Sequence, residues 1–184
     1  SPWTGQGFYT KNEINALEDF KGQRARVYSK TTAKMGEMLG FETTTLPFSE
    51  IPQAFATGLI DALFTSPQTG IDIQAWDNTR HYTVVGALNT KNAVVVNQRA
   101  FNRLPEAHKA ALVEAGKRAS KRGWEYSEQA FKDQLQILRD KGMQVKDAPE
   151  EVMTRMHEIG KVLTADWRAS ASPEAIEVLD AYLA

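Results

Sequence analysis

The fold class is decided by the stretch RARVYSKTTAKMGEMLGFETTTLPFSEIPQAFATGLIDALFTSP, residues 24–67. Short β-prone segments alternate there with helical ones, and each helical segment ends at a glycine. The predicted strands are 24–29, 43–46 and 60–65, and the predicted helices run from 33 to 39, capped by Thr31 or Thr32, and from 49 through 55, capped by Ser49. Strands and helices that alternate over short connections are typical of a largely parallel sheet covered by helices on both faces.

The flanking sequence extends this α/β pattern and then changes character. Further strands are predicted at 7–10, 81–85, 93–97 and 144–146, a helical turn at 15–20, and helices from Ser66 through Trp76, over 149–167 and over 173–183. Between 105 and 139 there is no internal proline, so one long helix is expected, or two with a bend near Gly123. We therefore expect an α/β ligand-binding lobe over residues 1–104 and a helical segment over residues 105–184.

Composition excludes several classes of function. The formal net charge is -1, so no basic excess points to nucleic acid. No apolar run approaches the roughly 18–20 residues of a membrane span, so stable membrane insertion is not expected. The chain has no cysteine, and its three histidines do not have metal-ligand spacing. No nucleotide, phosphate or nucleophile motif occurs, so we expect neither a cofactor nor a metal.

Arg26 is a candidate anion-binding residue because of its place in the predicted sheet. Successive strand residues point to opposite faces, so Arg24 and Arg26 share one face. An arginine late in a parallel strand lies near the carboxyl edge, where open α/β sheets bind ligands. Its guanidinium fits a carboxylate with two parallel hydrogen bonds. The alternative is an ion pair on the surface or between strands, and the pattern alone leaves both open.

Thr65 and Ser66 form a second candidate feature, at the predicted junction between a strand and a helix. The first N–H groups of a helix are unsatisfied and carry partial positive charge, which favours an anion. The two hydroxyls could bind a ligand there or cap the helix, and the two roles can coexist.

Aromatic side chains near the predicted strand ends are the third feature. They are Phe8, Phe48, Phe64 and Trp76. Packing in the core is the simplest interpretation for each, although a cleft for an organic acid would use one or two as apolar walls.

An ordered series of segments resembles a known family. The segments are Gly7-Phe8-Tyr9-Thr10, 17–22, Arg26-Val27, Leu39-Gly40, 46–51, 58–62 and 97–105. Their order and spacing resemble the DctP-like solute-binding proteins of TRAP transporters, the tripartite ATP-independent periplasmic transporters. The resemblance covers essentially the whole chain, but only the C-terminal portion of the family protein, whose fold has two α/β lobes joined by a long helix. The start at Ser1-Pro2-Trp3 accordingly suggests a fragment or a processed end.

The resemblance implies roles for individual residues. Arg26 matches the arginine that holds the ligand carboxylate, and Phe48 matches an aromatic that lines the cleft. Ser66, with Thr65 beside it, falls where many members have an asparagine before proline, which is a departure from the family pattern. Ser29 matches a loop that can touch the ligand, and Phe64 is expected to supply apolar contact. Gln6 falls where some members carry a second arginine.

The function implied by the resemblance is transport rather than catalysis. A periplasmic receptor would close over an organic acid and deliver it to the TRAP permease in the membrane. An exposed lobe interface could also support a dimer. Two other functions stay open from the residues alone: an enzyme on a similar α/β scaffold, and an effector-binding domain of a transcription regulator. A fragment with half a cleft could also bind no ligand.

Overall fold

A computed structural model describes residues 2–88 and 90–183, with the backbone alone at Glu128. Six strands form one sheet: β1 Gln6–Thr10, β2 Arg24–Val27, β3 Glu42–Thr45, β4 Ala62–Thr65, β5 His81–Ala87 and β6 Gln144–Asp147. Seven α-helices accompany them in the described residues: α1 Lys30–Leu39, α2 Ile51–Ala56, α3 Pro67–Asp72, α4 Gln98–Asn102, α5 Glu106–Asp140, α6 Glu150–Arg168 and α7 Pro173–Leu183. Short 3-10 turns lie at Leu17–Phe20, Phe48–Glu50 and Ala75–Asp77.

The sheet is mixed, in the order β3-β2-β4-β1-β5-β6. β2 is parallel to β3 and β4, and β5 is parallel to β6. β1 is inserted between β4 and β5 and is antiparallel to both. The predicted α/β class is confirmed, but the one reversed strand matters for the site. Because Gly7 pairs with Thr65, the amino end of β1 lies at the same edge as the carboxyl end of β4.

Two apolar clusters cover the two faces of the sheet. Phe8 and Tyr9 are neighbours in β1, so their side chains enter opposite clusters. The ring of Phe8 contacts Phe64 at a centroid distance of 4.9 Å, while the ring of Tyr9 contacts Tyr82 at 4.5 Å. All four side chains are at most 1% exposed. Burial of each large side chain stabilises the fold by roughly 1.5–3 kcal/mol, which makes this part of the sheet a rigid support.

The long C-terminal segment completes the lobe rather than standing apart from it. β6 adds the last strand beside β5, and Leu138 of α5 and Ile159 of α6 are buried in the two clusters. α5 is a single helix from Glu106 to Asp140, so the alternative of two helices is wrong. The division at residue 104 stays a prediction about organisation. No helix in the described ranges is both long enough and apolar enough to cross a membrane.

The strand predicted at 93–97 is wrong. Residues 92–97 have no regular secondary structure, and Val94 and Val95 are 98% and 85% exposed. A β-branched run becomes a strand only when a neighbouring strand pairs with it and a face is covered. In the described part of the chain, this run has neither.

Three predicted helix boundaries also differ from the structure. α1 is capped by Ser29, whose hydroxyl accepts from the Thr32 N–H at 3.2 Å, so neither Thr31 nor Thr32 is its cap. α2 follows a 3-10 turn and has no side-chain cap from Ser49. The helix after Ser66 ends at Asp72 instead of Trp76, because Gln74 has the left-handed φ of 51°.

Candidate functional site

A cavity of about 210 Å³ lies at the edge where β2 and β4 end and β1 begins. Its lining consists of Trp3, Gln6, Arg26, Tyr28, Phe48, Thr65, Ser66, Thr69 and Thr90. Arg26 is the one ionised side chain in this described lining. The remaining lining groups are aromatic rings, hydroxyls and one amide. The site therefore combines a single positive charge with neutral hydrogen-bonding groups and apolar walls.

Arg26 lies in this cavity with its charge unpaired. The residue is 5% exposed, and its Nε donates to the carbonyl of Leu46 at 3.0 Å. Within residues 2–88 and 90–183, no carboxylate lies at ion-pairing distance from it, and no hydrogen bond engages its terminal nitrogens. Burial lowers the pKa of Arg26, and its interaction with Tyr28 opposes that change. An arginine stays protonated in a protein, so the cavity presents a charged fork.

The hydroxyls of Thr65 and Ser66 lie across the end of β4, and both residues are buried. The Ser66 Oγ accepts from the Thr69 N–H at 3.2 Å, so Ser66 does cap α3. The hydroxyl of Tyr9 donates to the carbonyls of Ser66 and Pro67, at 3.4 and 3.3 Å. The capping interpretation is confirmed for Ser66 and not for Thr65, and both residues line the cavity.

Phe48 lies at the mouth of the cavity and is 51% exposed. Its exposed ring leaves an apolar surface at the rim of the cavity.

Two predicted site residues are not brought to the cavity. Phe64 is 1% exposed and packs in the core against Phe8, because strand alternation turns it to the face opposite Thr65. The hydroxyl of Ser29 is used in capping α1, where it contacts Thr32. The prediction of Phe64 as an apolar contact is therefore corrected, and Ser29 is assigned to the start of the helix.

The structure adds Tyr28 and Gln6 to the site. The Tyr28 hydroxyl donates to the Gln6 Oε1 at 2.7 Å, and the Arg26 Cζ lies 5.6 Å from the centre of the Tyr28 ring. Period-two alternation could have found Tyr28, which follows Arg26 by two positions. The family resemblance already pointed to Gln6, which falls where some members carry a second arginine. The residue pattern alone does not, because it does not give the reversed direction of β1.

The remaining additions are Trp3, Thr69 and Thr90. The Trp3 N–H donates to the Thr90 carbonyl at 2.9 Å, which joins two distant segments at the cavity edge. Pairings between irregular segments leave no periodic signal in a sequence. No group of three or more histidine or acidic side chains suitable for a metal ion occurs within the described ranges.

An α/β lobe with a buried arginine at the carboxyl edge of its strands, unpaired among the described residues, has the arrangement in which open α/β sheets bind ligands. The family model for bacterial extracellular solute-binding proteins, family 7, also called DctP, matches residues 4–170. The chain belongs to this family.

Solved structures show the same fold. The chain is similar to DctP7 of Bordetella pertussis, an extracytoplasmic solute receptor binding pyroglutamic acid, with 40% identity and a TM-score of 0.96. It is also similar to DctP6 of the same organism, another receptor binding pyroglutamic acid, with 34% identity and a TM-score of 0.94. A TRAP solute-binding protein from a marine metagenome, specific for pyroglutamate, has 31% identity and a TM-score of 0.91.

These relatives are longer than the chain. The alignments cover 100%, 99% and 98% of the chain but 61%, 60% and 60% of the three structures. A solute-binding protein of Sulfitobacter sp. strain NAS-14.1 is 24% identical over 144 residues, which are 76% of the chain and 44% of that protein. The chain thus spans less than two thirds of the length of these relatives.

Proposed function

We propose that this chain forms the anion-clamping part of an extracytoplasmic receptor for a small organic acid. The observation that carries the proposal is the guanidinium of Arg26, which is buried at a cavity without a carboxylate partner in the described residues. A buried charge costs free energy unless a partner compensates it. A ligand carboxylate supplies that partner with two parallel, charge-assisted hydrogen bonds.

The proposed ligand class is a monocarboxylate with a polar ring or short polar tail, and pyroglutamate is its first test compound. The three relatives at 31–40% identity bind pyroglutamic acid or pyroglutamate. In this chain, Arg26 would hold the carboxylate, and the hydroxyls of Thr65 and Ser66 would meet the polar part. Phe48 would cover an apolar face of the ring, since its own ring is half exposed beside the cavity.

The proposed action is capture and release without chemical change. The described cavity lining contains no histidine, aspartate or glutamate, and the chain has no cysteine. The hydroxyls in the lining are weak nucleophiles unless an adjacent general base activates them, and no carboxylate or imidazole in the described lining could do so. The receptor would work in the periplasm and deliver its ligand to the membrane subunits of a TRAP permease. The membership of the chain in an extracellular solute-binding family supports this placement.

The test compares two arginines of one strand in the purified full chain. Calorimetry and thermal unfolding are measured with and without pyroglutamate for wild type, Arg26→Ala and the matched control Arg24→Ala. Ligand at 100 times Kd should stabilise the wild type by about 2.7 kcal/mol. Arg26→Ala should weaken binding by roughly 10- to 100-fold, because a charge-assisted hydrogen bond contributes about 1.5–3 kcal/mol. Arg24→Ala should bind normally, since Arg24 pairs with Asp61 outside the cavity.

The contrary outcomes are specific. Equal weakening by both substitutions would mean that overall charge, and not the position of Arg26, attracts the ligand. Undiminished binding by Arg26→Ala would remove Arg26 from the site. Conversion of pyroglutamate to another compound, followed by NMR, would favour an enzyme.

A further inference from the structure

We infer that Gln6 and Tyr28 form a positioning pair that orients the guanidinium of Arg26 for the carboxylate of the ligand. The inference rests on the proposed function and assigns a role to two residues that do not themselves need to touch the carboxylate. Three successive contacts carry the inference. They begin at the backbone carbonyl of Leu88 and pass through Gln6 and Tyr28 to Arg26.

The first contact fixes the amide of Gln6. This residue is 4% exposed, and its Nε2 donates to the Leu88 carbonyl at 3.2 Å. A carbonyl oxygen can only accept, so the NH₂ group of the amide must face Leu88 and the amide oxygen must face away from it. The side chain of Gln6 therefore presents an acceptor in one defined direction.

The second contact uses that acceptor to fix Tyr28. The Tyr28 hydroxyl lies 2.7 Å from the Gln6 Oε1 and donates to it. Burial raises the pKa of Tyr28, while the hydrogen bond to Gln6 and the charge of Arg26 oppose that change. The phenol keeps its proton at neutral pH and remains a donor, so Gln6 sets where the far end of the ring lies.

The third contact passes the position of the ring to Arg26. The Arg26 Cζ lies 5.6 Å from the centre of the Tyr28 ring, within the range of a cation–π interaction. The Nε of Arg26 is held separately by the carbonyl of Leu46 at 3.0 Å. The Leu46 carbonyl thus supports the guanidinium at Nε, and the Tyr28 ring supports it at Cζ. Within the described residues the terminal nitrogens keep no hydrogen-bond partner and remain available to a ligand in the cavity that Arg26 lines.

Such an arrangement has a use because an arginine side chain is otherwise flexible. A ligand that binds a loose guanidinium must order it, and the lost side-chain entropy reduces affinity. The pair imposes that order before the ligand arrives. Both side chains of the pair are also uncharged. A carboxylate at either position would compete with the ligand for Arg26, whereas the amide and the phenol support the guanidinium without neutralising it.

The experiment is a double-mutant cycle on the binding of pyroglutamate by the full chain. Gln6→Ala and Tyr28→Phe should each weaken binding about threefold to tenfold, and the double variant should be no weaker than the worse single one, because both remove the same link. Tyr28→Leu, which removes the ring as well, should weaken binding more than Tyr28→Phe. Tyr182→Leu, at an exposed tyrosine of α7, is the control for loss of a tyrosine and should bind as wild type.

A pH titration of Gln6→Glu separates positioning from a merely structural role. Above the pKa of the introduced carboxyl group, its charged form competes for Arg26 and affinity should fall. Affinity should recover as the pH drops through that pKa, whose ordinary value is about 4.3. The wild type, with an uncharged amide, should show no such recovery. Thermal unfolding at each pH confirms that every variant is folded at the temperature of the binding measurement.

The outcomes distinguish this inference from the proposed function. Absence of wild-type binding to pyroglutamate would overturn both. If wild type binds and Arg26→Ala does not, but Tyr28→Leu binds as wild type, only the positioning pair is wrong. Additive effects of Gln6→Ala and Tyr28→Phe would overturn it too, since independent sites add.

Discussion

Strand β2 carries two arginines, one near each end, and the two side chains lie in opposite environments. At the amino end, the guanidinium of Arg24 lies 2.7 Å from the Asp61 carboxylate, and the side chain is 46% exposed. Two residues later and on the same face, Arg26 is 5% exposed and has no carboxylate partner among residues 2–88 and 90–183. Position along a strand, and not residue type or face, therefore separates an arginine held in an ion pair from the arginine proposed to bind a ligand.

The neighbouring segments explain the difference. The turn before β4 brings Asp61 to the amino end, where Lys11 also reaches the same carboxylate at 2.8 Å. The carboxyl end meets the start of the antiparallel strand β1 and the first residues of α3, which contribute an amide and hydroxyls. An arginine without a counter-ion lowers stability there. That cost remains in the folded protein, and it favours the binding of an anion at this end of the strand.

Among the substitutions that test this comparison, the largest loss of stability is expected near the carboxyl end, where packing is tight. A Cβ at Gly70 of α3 would lie 2.0 Å from the Tyr9 Oη. The ring cannot withdraw, since Tyr9 is fully buried and packs on Tyr82 at 4.5 Å. Gly70→Ala should therefore destabilise the protein by about 3 kcal/mol through overpacking. Urea unfolding of the purified protein measures the change.

The control for this substitution lies before the amino end of β2. Gly22 has a φ of 73° and no atom within 4 Å of an added Cβ. Gly22→Ala should cost only the left-handed backbone conformation, about 1–2 kcal/mol. If the two substitutions cost the same, the carboxyl end is not the more tightly packed region.

The second test exchanges each arginine for lysine. Arg26→Lys keeps the charge but loses the planar fork, so pyroglutamate binding should weaken by about 1.5 kcal/mol, or roughly tenfold, which is less than Arg26→Ala can cost. Arg24→Lys should leave affinity unchanged and alter stability by less than about 1 kcal/mol, because its ion pair is partly exposed. Calorimetry on both variants gives the comparison directly. Full binding by Arg26→Lys would show that a point charge suffices and that the fork geometry is not used.

Most of the fold could be predicted because its signals are local. Alternation identified β2, β-prone composition identified β4 and β5, glycines ended α1 and α2, and the absence of proline identified α5. The strand predicted at 93–97 is wrong because the run has the composition of a strand, whereas strand formation also depends on a partner elsewhere in space. The antiparallel direction of β1 could not be predicted for the same reason. No local residue pattern indicates which way a strand runs beside its neighbour.

The site could be predicted only in part, and the failures follow from the fold. Arg26, Thr65 and Ser66 could be predicted from the sequence, because strand alternation and the start of a helix indicate their positions. Phe64 was assigned to the site by proximity in sequence, although the same alternation turns it into the core. Thr90 comes from a segment far from β2 in sequence, and only three-dimensional pairing places it at the cavity.

The smallest expected effect concerns the carboxylate at the amino end of β2. Burial raises the pKa of Asp61, but the hydrogen bonds and charges of Lys11 and Arg24 outweigh it and leave the pKa below the ordinary 3.8. A lowered pKa in the folded state means that the stabilisation is present above the unfolded value and is lost as the pH falls through the folded one. Asp61→Asn should therefore be less stable than wild type by about 0.5–1 kcal/mol at pH 7. The difference should vanish below the lowered pKa, where wild-type Asp61 is itself neutral.

Urea unfolding of wild type and Asp61→Asn between pH 7 and about pH 2 tests this expectation, since the stabilisation is lost only as the pH falls through the lowered pKa. Asp140→Asn is the control, because Asp140 accepts a hydrogen bond from Gln136 at 2.8 Å rather than from a cation. Pyroglutamate affinity at pH 7 should be the same in all three proteins, since Asp61 does not line the cavity. A change in affinity with Asp61→Asn would mean that the two ends of β2 are coupled, because Arg24 and Lys11, released from Asp61, would then influence the anion site at the other end.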